Sequence, residues 1–121
     1  RITALIRARS NEVYLANYQK SSGQVPTRSG SYEYCHLDDL AGKINPDSYM
    51  LGNGVMAFRE QLTELFGEKC ILAPDYQCQV RAVSTARLGH QKFIAQPQDK
   101  TVSLEPFYIQ EFKVKRKKNA F

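Results

Sequence analysis

Hydrophobic and polar positions alternate over residues 2–8 at the start of the chain. Ile2, Ala4, Ile6 and Ala8 fall on one side of an extended segment, and the residues between them fall on the other. A period of two is typical of a β-strand, because successive side chains of a strand point to opposite faces of its sheet. The pattern predicts a first strand with one face buried.

The next segment leaves two alternatives open. Residues 13–18 fit either a hairpin partner of the first strand or a short helix opened by a cap at Ser10 or Asn11. Residues 20–31 contain Ser, Gly, Pro and Thr without a hydrophobic period. That composition predicts an exposed loop.

Two later segments carry the spacing of three and four residues that is typical of helices. A short helix is predicted at about residues 37–44, ended by Asn45 and Pro46, and its apolar positions are Leu37, Leu40, Ala41 and Ile44. The main helix is predicted at about residues 54–66. Its single apolar stripe contains Val55, Phe58, Leu62, Leu65 and Phe66. Asn53 can cap this helix and Gly67 can terminate it.

Further strands are predicted in the second half of the chain. They cover residues 70–73, 76–82, 93–95 and 102–114, and the alternation is clearest in 76–82. Pro106 places the last of them at a sheet edge or a bulge. We therefore expect an α+β fold, with a mostly antiparallel sheet and the helices at about 54–66 and 37–44 packed on one face.

The chain has 121 residues and is expected to form one domain, residues 1–121. It does not begin with Met, which indicates a chain processed or excised from a longer one. No apolar run reaches the ~18 to 20 residues of a membrane span, so no membrane association is expected. The cysteine count of 3 is odd, which favours a reducing, intracellular location, in the cytoplasm or the nucleus.

Charge is distributed unevenly along the chain. The formal net charge is +5, but residues 33–75 are acidic while residues 1–32 and 76–121 are basic. If the two basic flanks pair in one sheet, their charge gathers on one side of the domain. Residues 113–118 hold five cations, and so dense a block predicts an anionic partner, either nucleic acid (DNA or RNA) or an acidic protein.

These features predict a small nucleic-acid-binding domain within a larger nucleoprotein assembly. The residues expected to contact phosphates are Arg7, Arg9, Arg28, Arg81, Lys113, Lys115, Arg116, Lys117 and Lys118. The tyrosines expected to stack on bases are Tyr14, Tyr18, Tyr32, Tyr34 and Tyr49. A protein-interaction module that docks an acidic partner is an alternative from a different class.

Catalysis is a second alternative. His36, Asp38, Asp39 and His90 are the residue types of a phosphodiesterase or ribonuclease. Two carboxylates in the first turn of a helix are also what the helix dipole favours without any catalytic role. The pattern therefore favours a protein that is not an enzyme.

Metal and cofactor signals are weak. Cys35, Cys70, Cys78 and His90 could ligate zinc, but they lack the close pairs of ligands that structural zinc sites use, so buried cysteines are the favoured interpretation. The Gly52-Asn53-Gly54 run lacks the lysine and the preceding strand of a phosphate-binding loop. No cofactor is expected.

Overall fold

The computed structural model of the chain describes residues 1–97 and 105–110. Five strands form one sheet: β1 (Ile2–Arg7), β2 (Glu12–Gln19), β3 (Thr27–His36), β4 (Tyr49–Leu51) and β5 (Ile71–Leu72). The α-helices are α1 (Asn53–Ala57), α2 (Arg59–Phe66) and α3 (Ala82–Ala95). Short 3₁₀ helices span Leu37–Gly42, Gly67–Lys69 and Asp75–Gln77.

The sheet has the strand order β3-β2-β1-β4-β5. The long pairings, β1 with β2 and β2 with β3, are antiparallel, whereas the short pairings of β4 with β1 and β5 are parallel. The sheet is therefore mostly antiparallel, and the predicted α+β class is confirmed. Of the two alternatives for residues 13–18, the hairpin partner is correct. The predicted loop at 20–31 is too long, because β3 already begins at Thr27.

One face of the sheet is covered by α1, α2 and the 3₁₀ helix Leu37–Gly42. Leu5, Val13 and Met50 are fully buried on this face. Thr3 is also fully buried, and its hydroxyl donates to the side-chain oxygen of Asn17 at 2.7 Å. A buried hydroxyl without an acceptor would cost free energy, so this bond makes Thr3 compatible with the core.

The predicted helix at 54–66 forms as two helices, α1 and α2, which meet at Phe58. The predicted stripe faces the core except for Leu65, which is 39% exposed. Asn53 does not cap the helix, because its side-chain oxygen accepts from the backbone N–H of Arg7 at 2.8 Å. Gly67 ends α2 with a φ of 53°, as predicted.

The predicted short helix at 37–44 forms as a 3₁₀ helix over Leu37–Gly42. Leu37, Leu40 and Ile44 are buried, whereas Ala41 is exposed. The buried side of this segment therefore contains one residue fewer than the four apolar positions in the sequence indicate.

The predictions for residues 76–82 and 93–95 are wrong. In place of strands, the chain forms a 3₁₀ helix at Asp75–Gln77 and then α3. Half of the fourteen residues of α3 are Ala, Leu, Arg, Lys or Gln, which are strong helix formers, so residues 93–95 belong to a helix. The alternation over 76–82 has no neighbouring strand to pair with among the described residues. The basic flanks therefore do not pair in one sheet in the described part of the chain. Residues 105–110 form no strand there, and the rest of the predicted strand 102–114 lies outside the described residues.

Candidate functional site

The second face of the sheet, which α1 and α2 do not cover, carries a row of side chains that crosses all five strands. Ile2 pairs with Tyr18 on one side and with Tyr49 on the other. The row continues to Arg28 on β3 and to Ile71 on β5. Directly paired residues project to the same face of a sheet, so these side chains share one surface. We call this surface the open face.

A shorter row runs parallel to the first on the open face. Ile6 pairs with Tyr14, and Tyr14 pairs with Tyr34. The rings of Tyr14 and Tyr34 are in contact, with centroids 5.0 Å apart and planes tilted by 45°. Ala4 and Ala16 pair with each other between the two rows. Their short side chains form the floor of a shallow groove, and the tyrosine rows on either side are about 13 Å apart along β2.

A bulge in β3 shapes one end of this groove. Leu15 pairs with Glu33 and Asn17 pairs with Ser29, so residues 30–32 of β3 lie opposite the single residue Ala16. Gly30 has a φ of 87°, a conformation that favours glycine. Such bulges re-aim side chains at sheet edges.

The bulge brings Tyr32 beneath Arg28. The guanidinium carbon of Arg28 lies 4.0 Å from the centroid of the Tyr32 ring, a cation–π contact. Phe107 lies on the other side, with its ring centroid 5.6 Å from that of Tyr32. With Ser31, these side chains line a pocket of about 320 Å³. Among the ion pairs within residues 1–97 and 105–110, none involves Arg28.

Burial is the main cause of the altered titration of Tyr18 on the open face. Burial raises the pKa of Tyr18, and the neighbouring Tyr32 adds to the effect. The Tyr18 phenol is protonated at neutral pH, as an ordinary tyrosine also is, so it can donate a hydrogen bond.

A cluster of charged and polar side chains lies at the other end of β2. The Tyr34 hydroxyl donates to the carboxylate of Glu12, and this bond lowers the pKa of Glu12 and raises that of Tyr34. Arg9 lies 3.4 Å from the same carboxylate. The charge of Arg9 is thus partly neutralised.

The structure separates the other basic residues predicted to bind phosphates. The guanidinium of Arg7 lies 5.9 Å from the ring centroid of Phe58, on the helix-covered face of the sheet. Arg81 precedes α3 and donates to the carbonyl of Tyr76 at 3.3 Å. Lys113, Lys115, Arg116, Lys117 and Lys118 lie outside the described residues. Of the predicted cations that the structure describes, Arg9 and Arg28 are those at the open face.

The candidate catalytic residues lie on two elements. His36 is the N-cap of the 3₁₀ helix, where its Nδ1 accepts from the backbone N–H of Asp38 and lies 3.3 Å from the Asp38 carboxylate. Asp39 follows in the same turn, whereas His90 lies on α3. No hydrogen bond or ion pair among the described residues joins His90 to His36, so this arrangement provides a cap rather than an assembled acid–base pair.

The candidate zinc ligands are not brought together. Cys35, Cys70 and Cys78 are free and buried, and burial raises the pKa of the Cys35 thiol. The Cys78 sulfur lies 3.6 Å from the carbonyl oxygen of Ala73, as a weak donor. Over the described ranges, no group of three or more His, Cys, Asp or Glu side chains is placed to hold a metal ion.

Sequence reasoning missed the contributions of Ser31 and Phe107 to the site. The one local signal was Gly30 inside a segment that otherwise alternates, since an isolated glycine in a strand often marks a bulge. The contact with Phe107 depends on the path of the chain after α3, which no local pattern reveals.

Comparison with models of known protein families gives no match to this chain, and comparison with curated proteins gives none either. In the portion of the chain that the structure covers, no helix has both the length and the hydropathy needed to cross a bilayer.

Proposed function

We propose that this domain binds single-stranded nucleic acid across the open face of its sheet. The observation that carries the proposal is the concentration of tyrosines on that face. Tyr14, Tyr18, Tyr34 and Tyr49 share it, and Tyr32 adjoins it at the bulge. Aromatic rings on an exposed sheet are a recurring platform for unpaired bases, because every base offers a π-face for stacking.

Arg28 supports this proposal as the phosphate contact. Its guanidinium sits over Tyr32 at the mouth of the pocket, where a base inserted next to Phe107 would place its phosphate within reach. A single strand fits better than a duplex, since paired bases keep their faces stacked and inaccessible. The binding experiment includes both RNA and DNA.

The test is fluorescence-anisotropy titration of the full chain with labelled single strands of RNA and DNA of about ten nucleotides, a typical site size for such proteins, and with a matched duplex. We expect tighter binding of the single strands, weakening with salt by about 0.7 log units per log unit of salt for each phosphate contacted. The chain has no Trp and 7 Tyr, so quenching of tyrosine emission by stacked bases gives a second signal.

Three variants locate the binding surface. Tyr18→Leu removes a ring from the groove while keeping apolar volume, and Arg28→Ala removes the cation that lies over Tyr32. We expect each to weaken binding by at least fivefold, the effect of losing about 1 kcal/mol of stacking or charge. Arg7→Ala is the matched control, because it removes the same charge from the opposite face and leaves affinity nearly unchanged.

Equal losses in Arg7→Ala and Arg28→Ala would overturn the assignment to the open face, and the absence of binding at low salt would overturn the function itself. The labelled strands are checked on a gel after each titration. If the unmodified chain shortens the strands and the His36→Ala variant leaves them intact, the result would support the ribonuclease alternative instead.

A further inference from the structure

Helix α3 is exposed along its whole length. None of its fourteen residues is buried. Its large apolar side chains include Val83 at 70%, Phe93 at 59% and Ile94 at 65% exposed, and Val80 just before it is 91% exposed. Single exposed apolar residues are common on protein surfaces, but a contiguous group of them marks an interaction site.

The exposed apolar residues form a stripe. At about 100° per residue, Val83, Ala86, Phe93 and Ile94 fall within about 100° of the helix circumference. Leu88 projects from the other side of the helix, as does Lys92. His90 falls in the same sector, so this face of α3 is apolar except for one histidine, and we call its four apolar residues the α3 stripe.

Two features of its local sequence weaken α3 despite its helix formers. Arg81, at the N-cap, makes no side-chain capping bond. Gly89 lies in the helix interior, where it costs about 1 kcal/mol relative to alanine. Isolated helices shorter than roughly 12 to 15 residues are marginal in water, and most helices in proteins depend on packing of an apolar face. Packing of another surface on the α3 stripe would therefore stabilise this helix.

Charge defines the kind of surface that fits. From residue 76 to residue 97 the sequence contains no Asp or Glu, but it contains Arg81, Arg87 and Lys92. Arg87 lies at the border of the α3 stripe, where it would meet the rim of any docked surface. Acidic groups at that rim would be attracted, and basic groups would be repelled.

A second copy of α3 fits poorly. Arg87 is close to the middle of the helix, so symmetric antiparallel packing of two α3 stripes would bring the two Arg87 side chains within about one helical turn of each other. Like charges at that separation oppose association, whereas an acidic partner gains from the same residue.

We propose that the α3 stripe is a docking surface for a different protein, one that presents an apolar groove or helix face with an acidic rim. The inference is independent of nucleic-acid binding, because it uses residues of α3 alone. Burial of a large apolar side chain contributes about 1.5 to 3 kcal/mol, so Val83, Phe93 and Ile94 are the residues expected to contribute most to such a complex.

The probe is a labelled synthetic amphipathic peptide of the same length as α3, with leucines on one face and glutamates on the flanks. A second peptide has lysines in place of the glutamates. We expect the acidic peptide to bind the full chain at least about tenfold more tightly than the basic peptide, with a preference that declines as salt is added. Amide exchange of residues 82–95 is expected to slow when the acidic peptide binds.

Two variants and a matched control locate the contact. Val83→Ser combined with Ile94→Ser is expected to weaken acidic-peptide binding at least about tenfold, since both residues lie in the α3 stripe. Arg87→Glu is expected to reverse the preference between the two peptides. Leu88→Ser removes an apolar side chain of similar size from the other side of α3 and should leave binding unchanged.

Equal binding of the two peptides, or undiminished binding by the double serine variant with its fold intact by circular dichroism, would overturn the proposal. Sedimentation velocity should show a monomer. A dimer that dissociates in the double serine variant would also overturn it, because the α3 stripe would then contact a second copy of the chain. Loss of oligonucleotide binding in Arg87→Glu, without loss of peptide binding, would assign α3 to nucleic acid instead.

Discussion

At the residue scale, Gly54 lies so close to β1 that there is little room for a side chain at this position. A Cβ atom at this position would lie 2.9 Å from the Cβ of Leu5 and 3.0 Å from its carbonyl carbon. Leu5 is fully buried, so neither the strand nor the side chain can move away freely. We expect Gly54→Ala to lower the free energy of unfolding by about 1 to 3 kcal/mol, as overpacking usually does, measured by urea denaturation.

Gly42 provides the control for that substitution. It lies in the 3₁₀ helix Leu37–Gly42, and a Cβ there would meet no atom within 4 Å. We expect Gly42→Ala to change stability by no more than about 0.5 kcal/mol. If the free energy of unfolding fell by similar amounts in Gly54→Ala and Gly42→Ala, the contact with Leu5 would not be the reason for the loss at position 54.

The hydrogen bond between Tyr34 and Glu12 predicts a measurable titration effect. It is the largest cause of the lowered pKa of Glu12, whose ordinary value is 4.5. Tyr34→Phe should therefore move the pKa of Glu12 upward, as followed by NMR of the Glu12 side-chain carboxyl carbon across pH. The lowered pKa means that ionised Glu12 stabilises the folded state above pH 4.5, and that this contribution is lost as pH falls through the folded-state pKa.

Tyr14→Phe tests whether that shift comes from the hydroxyl group or from the neighbouring ring. The Tyr14 ring contacts Tyr34, but Tyr34 is the residue that bonds to Glu12. We expect an unchanged Glu12 pKa in Tyr14→Phe. An upward shift as large as that in Tyr34→Phe would contradict the hydrogen-bond explanation.

At the scale of elements, α3 combines a high content of helix formers with an unfavourable glycine. Gly89 has open space around it, since a Cβ there would meet no atom within 4 Å. Gly89→Ala should stabilise α3 by roughly 0.5 to 1 kcal/mol through helix propensity. The measurement is native-state amide exchange of residues 82–95, where slower exchange is expected.

Exchange elsewhere should stay unchanged in Gly89→Ala, because no residue of α3 is part of the core. Faster exchange in residues 82–95 would contradict the assignment of this segment as a helix. Slower exchange in β1 or β2 would instead show that α3 is coupled to the sheet.

The spacing of apolar residues along the sequence correctly predicted those elements whose secondary structure depends mainly on their own residues. The stripe through Val55, Phe58, Leu62 and Phe66 faces the core because helical spacing places these residues on one side whatever the partner. Residues 76–82 failed because their alternation requires a neighbouring strand to be stabilised as a strand. Because a strand depends on its neighbours in the same way, the sequence alone could not decide between a strand and a helix for residues 13–18.

At the scale of the whole molecule, the candidate site arises from strand register. The sequence showed several tyrosines and several arginines in the first half of the chain, but not which of them share a face. Only the pairing of Ile2 with both Tyr18 and Tyr49 places those two rings on one surface. The bulge opposite Ala16 then brings Tyr32 to Arg28, and register of this kind depends on residues far apart in sequence.

The open face and the α3 stripe consist of different residues on different elements, so they should bind their ligands independently. We expect Tyr18→Leu to weaken oligonucleotide binding without changing acidic-peptide binding, and Val83→Ser with Ile94→Ser to have the opposite effect. In the triple variant, the two losses should add to within about 0.5 kcal/mol, as they do for distant sites. The measurement is anisotropy with two labels of different colour, which also detects a complex of the domain with both ligands at once.

Competition between the oligonucleotide and the acidic peptide would contradict independent binding. If the peptide displaces the oligonucleotide from the unmodified chain, the two ligands share a surface, and the basic residues of α3 are then part of the nucleic-acid interface. If both remain bound, the domain can connect a nucleic acid to an acidic protein. Because charged ligands also repel each other at long range, the test is repeated at about 0.15 M salt, where the Debye length is about 8 Å and only a shared contact surface still produces displacement.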